Sequence, residues 1–160
     1  MMATLDRTVR LGTGNSGDLD GVMNVMTAAF GDRYGEAWSR SQCAGILPMA
    51  GVSLAIARDA DSGETIGFSL SRRVADEAEL LLLAVLPDRH REGVGTCLLE
   101  DFIDRARDKG VVRVHLEVRD GNPAVAMYRA AGFAAAGRRR NYYYGADGSR
   151  FDALTYARQI

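Results

Sequence analysis

The glycine-rich run His90-Arg91-Glu92-Gly93-Val94-Gly95-Thr96 is the stretch of this chain with the clearest chemistry. It follows an unbroken apolar segment, Leu80 to Leu86, and a Pro87-Asp88 turn. Beyond it, Val94, Leu98, Leu99, Phe102, Ile103 and Ala106 fall at helical spacing. A buried strand therefore leads through a glycine turn into an amphipathic helix. The first N–H groups of such a helix lack intrahelical partners and lie at the positive end of its dipole, where a phosphate or pyrophosphate can bind. Gly93 and Gly95 would let the backbone approach that ligand without an intervening Cβ. Two glycines at a helix start are equally compatible with a tight turn and nothing more. Two other phosphate loops are excluded. No Lys-Ser or Lys-Thr follows, and Leu98 stands where the dinucleotide fingerprint has its third glycine.

The rest of the chain must position that loop. Thr8 to Leu11 reads as a short strand, and Leu19, Val22, Met23, Met26 and Ala29 as a helix from about 18 to 30, capped by Ser16 or Asp18 and stopped by Gly31. A second helix is predicted from about Glu36 to Ile46. Val52 to Ala57 and Thr65 to Arg72 form a hairpin across Asp61-Ser62-Gly63, and Glu79 to Leu86, apolar on both faces, is a central strand. The loop's helix ends at Gly110. Val112, Val114, Leu116 and Val118 then alternate with polar residues as a strand. Asn122 and Pro123 open a helix ending at Gly132, and 138–144 and 151–156 are two last strands. This order predicts an α+β (mixed α/β) fold, with helices on both faces of a central, mostly antiparallel sheet.

Composition narrows the class of function. The 160 residues suit one domain; 47% hydrophobic and 26% charged are ordinary globular values. A net charge of −1 gives no general pull toward nucleic acid or an acidic membrane. No apolar run reaches spanning length and the N-terminus does not read as a signal peptide, so a cytoplasmic location is expected. Cys43 and Cys97 form no metal or redox motif and read as reduced core thiols. His90 and His115 are isolated on polar faces, and no metal site is expected.

Four pieces, in order, then carry a resemblance: Leu80–Asp88; His90–Ile103; Leu116–Phe133, including Glu117-Val118-Arg119-Asp120-Gly121-Asn122 and Tyr128-Arg129-Ala130-Ala131-Gly132-Phe133; and Arg139-Arg140-Asn141-Tyr142-Tyr143. The chain resembles the GNAT superfamily of acyl-CoA-dependent N-acyltransferases. Within it the chain looks most like the RimI group, which acetylates the N-terminal alanine of a ribosomal protein. The likeness is close from about 77 to 156 and loose before it, although Trp38-Ser39 and Asp152-Ala153 also match. It implies acetyl-CoA as co-substrate, with Leu83, Ala84 and Val85 as the strand edge for the pantetheine arm. It implies Arg91, Glu92, Gly93, Val94, Gly95 and Thr96 as the pyrophosphate loop, and Asn122 as a further cofactor contact. Glu117 becomes the general base, Tyr128 the general acid, and Tyr142 and Tyr143 the walls of the acceptor slot. Two departures stand out: His90 replaces the usual Gln or Arg, and the segment from Glu117 to Tyr128 is one residue shorter.

Read without the resemblance, each residue has a plainer role. Glu117 is a solvated strand carboxylate flanked by Arg113 and Arg119, Tyr128 a half-buried helix residue, and Asn122 an N-cap. Tyr142 to Tyr144 are strand formers, and Arg138-Arg139-Arg140 is a solvated edge. Three functions compete: acetylation of a protein N-terminus, acetylation of a small amine such as an antibiotic, polyamine or amino acid, and non-catalytic acyl-CoA sensing.

Overall fold

In the computed structural model, which describes residues 8–160, seven strands form one sheet. They are β1 (Val9–Thr13), β2 (Val52–Asp59), β3 (Thr65–Val74), β4 (Glu77–Val85), β5 (Arg113–Arg119), β6 (Ala134–Tyr144) and β7 (Arg150–Gln159). Their spatial order is β1-β2-β3-β4-β5-β7-β6, and only β4 and β5 run parallel. The four α-helices are α1 (Leu19–Phe30), α2 (Arg40–Ile46), α3 (Val94–Asp108) and α4 (Val125–Ala130).

Strand alternation separates two cores. Leu54, Ile56, Phe68, Leu70, Leu82 and Ala84 pack under Val22, Val25 and Met26 of α1. On the opposite face, Leu80, Val114, Leu116 and Val118 pack under Leu99, Phe102 and Ile103 of α3 and Tyr128 of α4. Strand β4 serves both because its register against β3 skips Leu81, turning the residues after it to the other side. Helices on both faces of a mostly antiparallel sheet are the expected architecture.

Several boundaries differ from the sequence reading. Helix α2 starts at Arg40, not near Glu36, because Ser39 and Gln42 form a capping box: Gln42 N–H donates to Ser39 Oγ (3.1 Å) and Ser39 N–H to Gln42 Oε1 (2.7 Å). Asn15, not Ser16 or Asp18, gives the side-chain cap ahead of α1, accepting from Gly17 N–H (2.8 Å). Asn122 accepts from Ala124 N–H (2.8 Å), but α4 itself begins at Val125. The last hairpin is longer than predicted, starting at Ala134 and ending at Gln159, since β6 and β7 pair along most of their length. Cys43 and Cys97 are both buried and in the thiol form.

Candidate active site

The parallel pairing of β4 with β5 stops at Leu80–Leu116, and beyond it the two strands part. Leu86 N–H donates to Ile66 O on the β3 side (2.8 Å). Alternation therefore turns the N–H and C=O of Leu83 and Val85 away from β3, into the gap β5 has left. Ala84 faces β3 and is the member of that trio whose polar groups the sheet uses. The free edge has one occupant: His90 Nε2 lies 3.1 Å from Val85 O.

The gap opens into a cleft of about 940 Å³ floored by Leu80–Val85 and by Leu116–Arg119. One end is closed by the loop and the start of α3, where Arg91 and Gly93 take left-handed φ of 68° and 80°. For Gly93 that conformation explains the residue type; Arg91 adopts it at some strain. Cys97 N–H, bonded to Gly93 O (3.0 Å), makes the first intrahelical bond, so the amides of Val94, Gly95 and Thr96 have no helical partner. Arg91, Gly93, Val94, Gly95 and Thr96 all line the cleft. Glu92 does not. Its carboxylate accepts from Arg89 Nε (2.8 Å), while Arg89 Nη1 reaches Asp59 at the end of β2 (3.0 Å), so these charges tie the loop to the sheet.

The other end of the cleft gathers Glu36, Trp38, Glu117, Tyr128, Tyr142 and Tyr143. Glu117 projects from β5 with its side chain 13% exposed, and its carboxylate is met by Arg139 (Nε to Oε1 2.7 Å) and by the Tyr142 hydroxyl, which donates to it. Arg113 and Arg119 are engaged elsewhere, with Glu77 (3.0 Å) and Glu36 (3.2 Å). Tyr128 is buried on α4, packed edge-on against Phe133. Burial, and then the Glu36 charge, push its hydroxyl up to about 12. It therefore stays protonated near neutral pH, with its O–H proton available to a neighbouring acceptor. Burial and the adjacent Glu117 carboxylate raise Tyr142, and burial followed by Glu36 raises Tyr143 strongly.

Tyr142 and Tyr143 reach this end because β6 is irregular. Arg139 faces Ala153 and Tyr143 faces Phe151, so β6 spends four residues where β7 spends two. Asp152 fixes the bulge by accepting from Asn141 N–H (2.9 Å) and Arg138 Nη1 (2.8 Å), the latter shared with Asp120 (2.8 Å). Those two donors hold the Asp152 carboxyl below its ordinary range.

Sequence reasoning missed Glu36, Arg119 and Arg139. Glu36 lies in the 31–39 loop, accepting from Arg119 Nε (3.2 Å) and Asn122 Nδ2 (2.8 Å). Asn122 thus lines the cleft, but its amide is committed to Ala124 and Glu36. Arg119 also lies 3.6 Å from the Tyr34 ring centroid, and Tyr34 meets Phe151 edge-on at 5.0 Å. The loop packs directly on the last hairpin: Ala146 N–H donates to Asp32 O (3.1 Å), and a Cβ on Gly35 would stand 2.0 Å from Tyr144 O. Glycine is needed at 35 for that contact.

Residues 19–133 match the family described as Acetyltransferase (GNAT) family. The chain belongs to it. It is an acetyl-CoA-dependent N-acetyltransferase of the GNAT type. Over 100 residues it is 44% identical to the ribosomal protein bS18-alanine N-acetyltransferase of Escherichia coli (strain K12), spanning 62% of this chain and 67% of that protein. The crystal structure of the Escherichia coli ribosomal-protein-alanine N-acetyltransferase matches with a TM-score of 0.84 at 33% identity, over 95% of this chain and 94% of that one. A mycothiol acetyltransferase of Clavibacter sepedonicus is 38% identical over 106 residues, 66% of this chain but 31% of that protein. Among the described residues, no helix is long and apolar enough to cross a membrane.

Proposed function

We propose that this GNAT enzyme acetylates the α-amino group of a protein N-terminus, an alanine of a ribosomal protein being the favoured acceptor. The reading is carried by the cleft's two ends. One offers a strand edge, occupied at Val85 O by His90, and helix amides without helical partners to acetyl-CoA, and the other gathers a carboxylate, a protonated phenol and aromatic walls. Leu83 and Val85 take the pantetheine amides as an added strand would, and the amides of the 91–96 loop take the pyrophosphate. Ala84, bonded to β3, holds that edge in place. Glu92 contributes through Arg89, and Asn122 by fixing Glu36.

The chemistry is direct attack. An α-amino group has a pKa of about 7.7–8.0, so at neutral pH it arrives largely as ammonium. Glu117 accepts its proton, the free amine adds to the thioester carbonyl, and the C–S bond breaks as the amide forms. The departing thiolate takes a proton from Tyr128, and the second proton that the nitrogen sheds as the amide forms returns to the Tyr128 oxygen, so the phenol is restored and the net proton released is the one on Glu117. Tyr142 and Tyr143 flank the incoming peptide.

The relatives named for ribosomal-protein alanine support this choice of acceptor. The likeness to a mycothiol acetyltransferase supports a small-amine acceptor. Thiol release from acetyl-CoA, measured with short peptides of free N-terminal alanine and with polyamines, aminoglycosides and amino acids, separates the two. Turnover on the peptides is expected; turnover on small amines with none on any peptide would replace the reading.

A further inference from the structure

The bulge in β6 that delivers Tyr142 and Tyr143 to the cleft also delivers Arg139 to Glu117. The pair is lopsided, because the carboxylate side chain is 13% exposed and the arginine side chain 63%. A carboxylate that enclosed is costly to leave without a cation. Arg113 and Arg119 cannot serve, since each is held by another carboxylate. Arg139 can also leave cheaply: it is solvated, and its guanidinium already lies 5.6 Å from the Tyr142 ring centroid, a second resting place for a cation.

We propose that Arg139 holds the seat of the acceptor amine. Its guanidinium occupies the position on Glu117 that the acceptor's ammonium takes, and it yields that position by moving onto the Tyr142 face and into solvent. One cation replaces another, so the enclosed carboxylate is never bared. The site thereby selects acceptors that arrive as cations, whose proton then passes from nitrogen to Glu117 before attack. The proposal rests on Glu117 as the acceptor-side base. Arg139 is a positioning and selecting residue that takes no part in bond making.

The test is the KM for a short alanine-initiated peptide in wild type, Arg139→Ala and Arg139→Lys, each also in a Glu117→Gln background. A competing ion pair whose cation is solvated should be worth about 1.4- to 5-fold, so Arg139→Ala is expected to lower the peptide KM by that factor, and Arg139→Lys to restore the wild-type value. The effect should vanish in the Glu117→Gln background. Affinity for a desamino analogue, with propionyl in place of alanyl, should be the same in wild type and Arg139→Ala. A raised peptide KM in Arg139→Ala would make the arginine an acceptor contact, and an unchanged one would make the pair incidental; either overturns the proposal. Failure of the base assignment is read separately, as undiminished turnover of Glu117→Gln at neutral pH.

Discussion

Glutamine at position 36 should destabilise the fold at the acceptor end and reach Tyr128 through the lost charge. Glu36 and Arg119 are 10% and 9% exposed at their side chains, so they form a buried ion pair. Removing one partner of such a pair costs about 3–5 kcal/mol, because a buried charge is left behind. Glutamine keeps an acceptor for Asn122 Nδ2, and Arg119 keeps Asp120 O (3.2 Å) and the Tyr34 ring. The lower end, about 3 kcal/mol, is therefore expected. At about 2–4 °C per kcal/mol for a chain of this size, Glu36→Gln should melt about 6–12 °C below wild type. A second effect follows from charge. Burial is the first cause of the raised Tyr128 hydroxyl and the Glu36 charge the second, so the variant's Tyr128 should ionise at lower pH. Thermal melts and an alkaline titration of the tyrosinate absorbance, with Tyr128→Phe as reference, read both. A melt within about 1 °C of wild type, with Tyr128 titrating unchanged, would refute the reasoning.

Gly95→Ala should fold at least as stably as wild type, since a Cβ there meets Leu83 and Val85 at an ordinary 3.8 Å, its one tight neighbour is the flexible Met127 sulfur at 3.2 Å, and alanine is the better helix former. Gly95→Glu should lose acetyl-CoA affinity, and calorimetry showing no loss would remove the loop from the binding site. Tyr142, 46% exposed and hydrogen-bonded to Glu117, should matter to the acceptor end and not to the cofactor: Tyr142→Ala is expected to raise the peptide KM by at least about 2- to 12-fold, the worth of one aromatic contact, with acetyl-CoA affinity unmoved. Tyr128 ties stability to alkaline pH. Its folded value of about 12 lies above the ordinary 10.0, so its contribution is fully present below pH 10.0 and lost as pH rises through about 12. A shift of that size corresponds to about 3 kcal/mol, and denaturant melts across this window should show a steeper loss in wild type than in Tyr128→Phe.

The strand, glycine turn and helix from Leu80 to Ala106 were legible because periodicity and glycine placement are local signals, and the structure builds them as read. The splay of β4 from β5 was not. It depends on where a parallel ladder stops, which no residue pattern marks. Glu117 could be found, but its partner could not: the adjacent Arg113 and Arg119 look like its neighbours, whereas Arg139 arrives through a register shift on a strand 22 positions away. Glu36 was folded into a predicted helix, although Ser39-x-x-Gln42 signals the true start. Its role comes from a contact with Arg119, 83 positions along the chain, and a loop carboxylate has no periodicity to betray that. Glu92 shows the converse: it sits inside the phosphate-loop motif, yet its charge is spent on Arg89.

The claim that the acceptor end works by proton removal at Glu117 is tested most directly by turnover of Glu117→Gln on an alanine-initiated peptide across pH. Glutamine preserves the shape, and the mostly exposed Arg139 tolerates loss of its partner. Turnover is expected to fall about 10²–10⁴-fold near neutral pH and to recover in part as the amine loses its proton in solution above its own pKa. Full turnover at neutral pH, with acetyl-CoA affinity intact, would contradict the account.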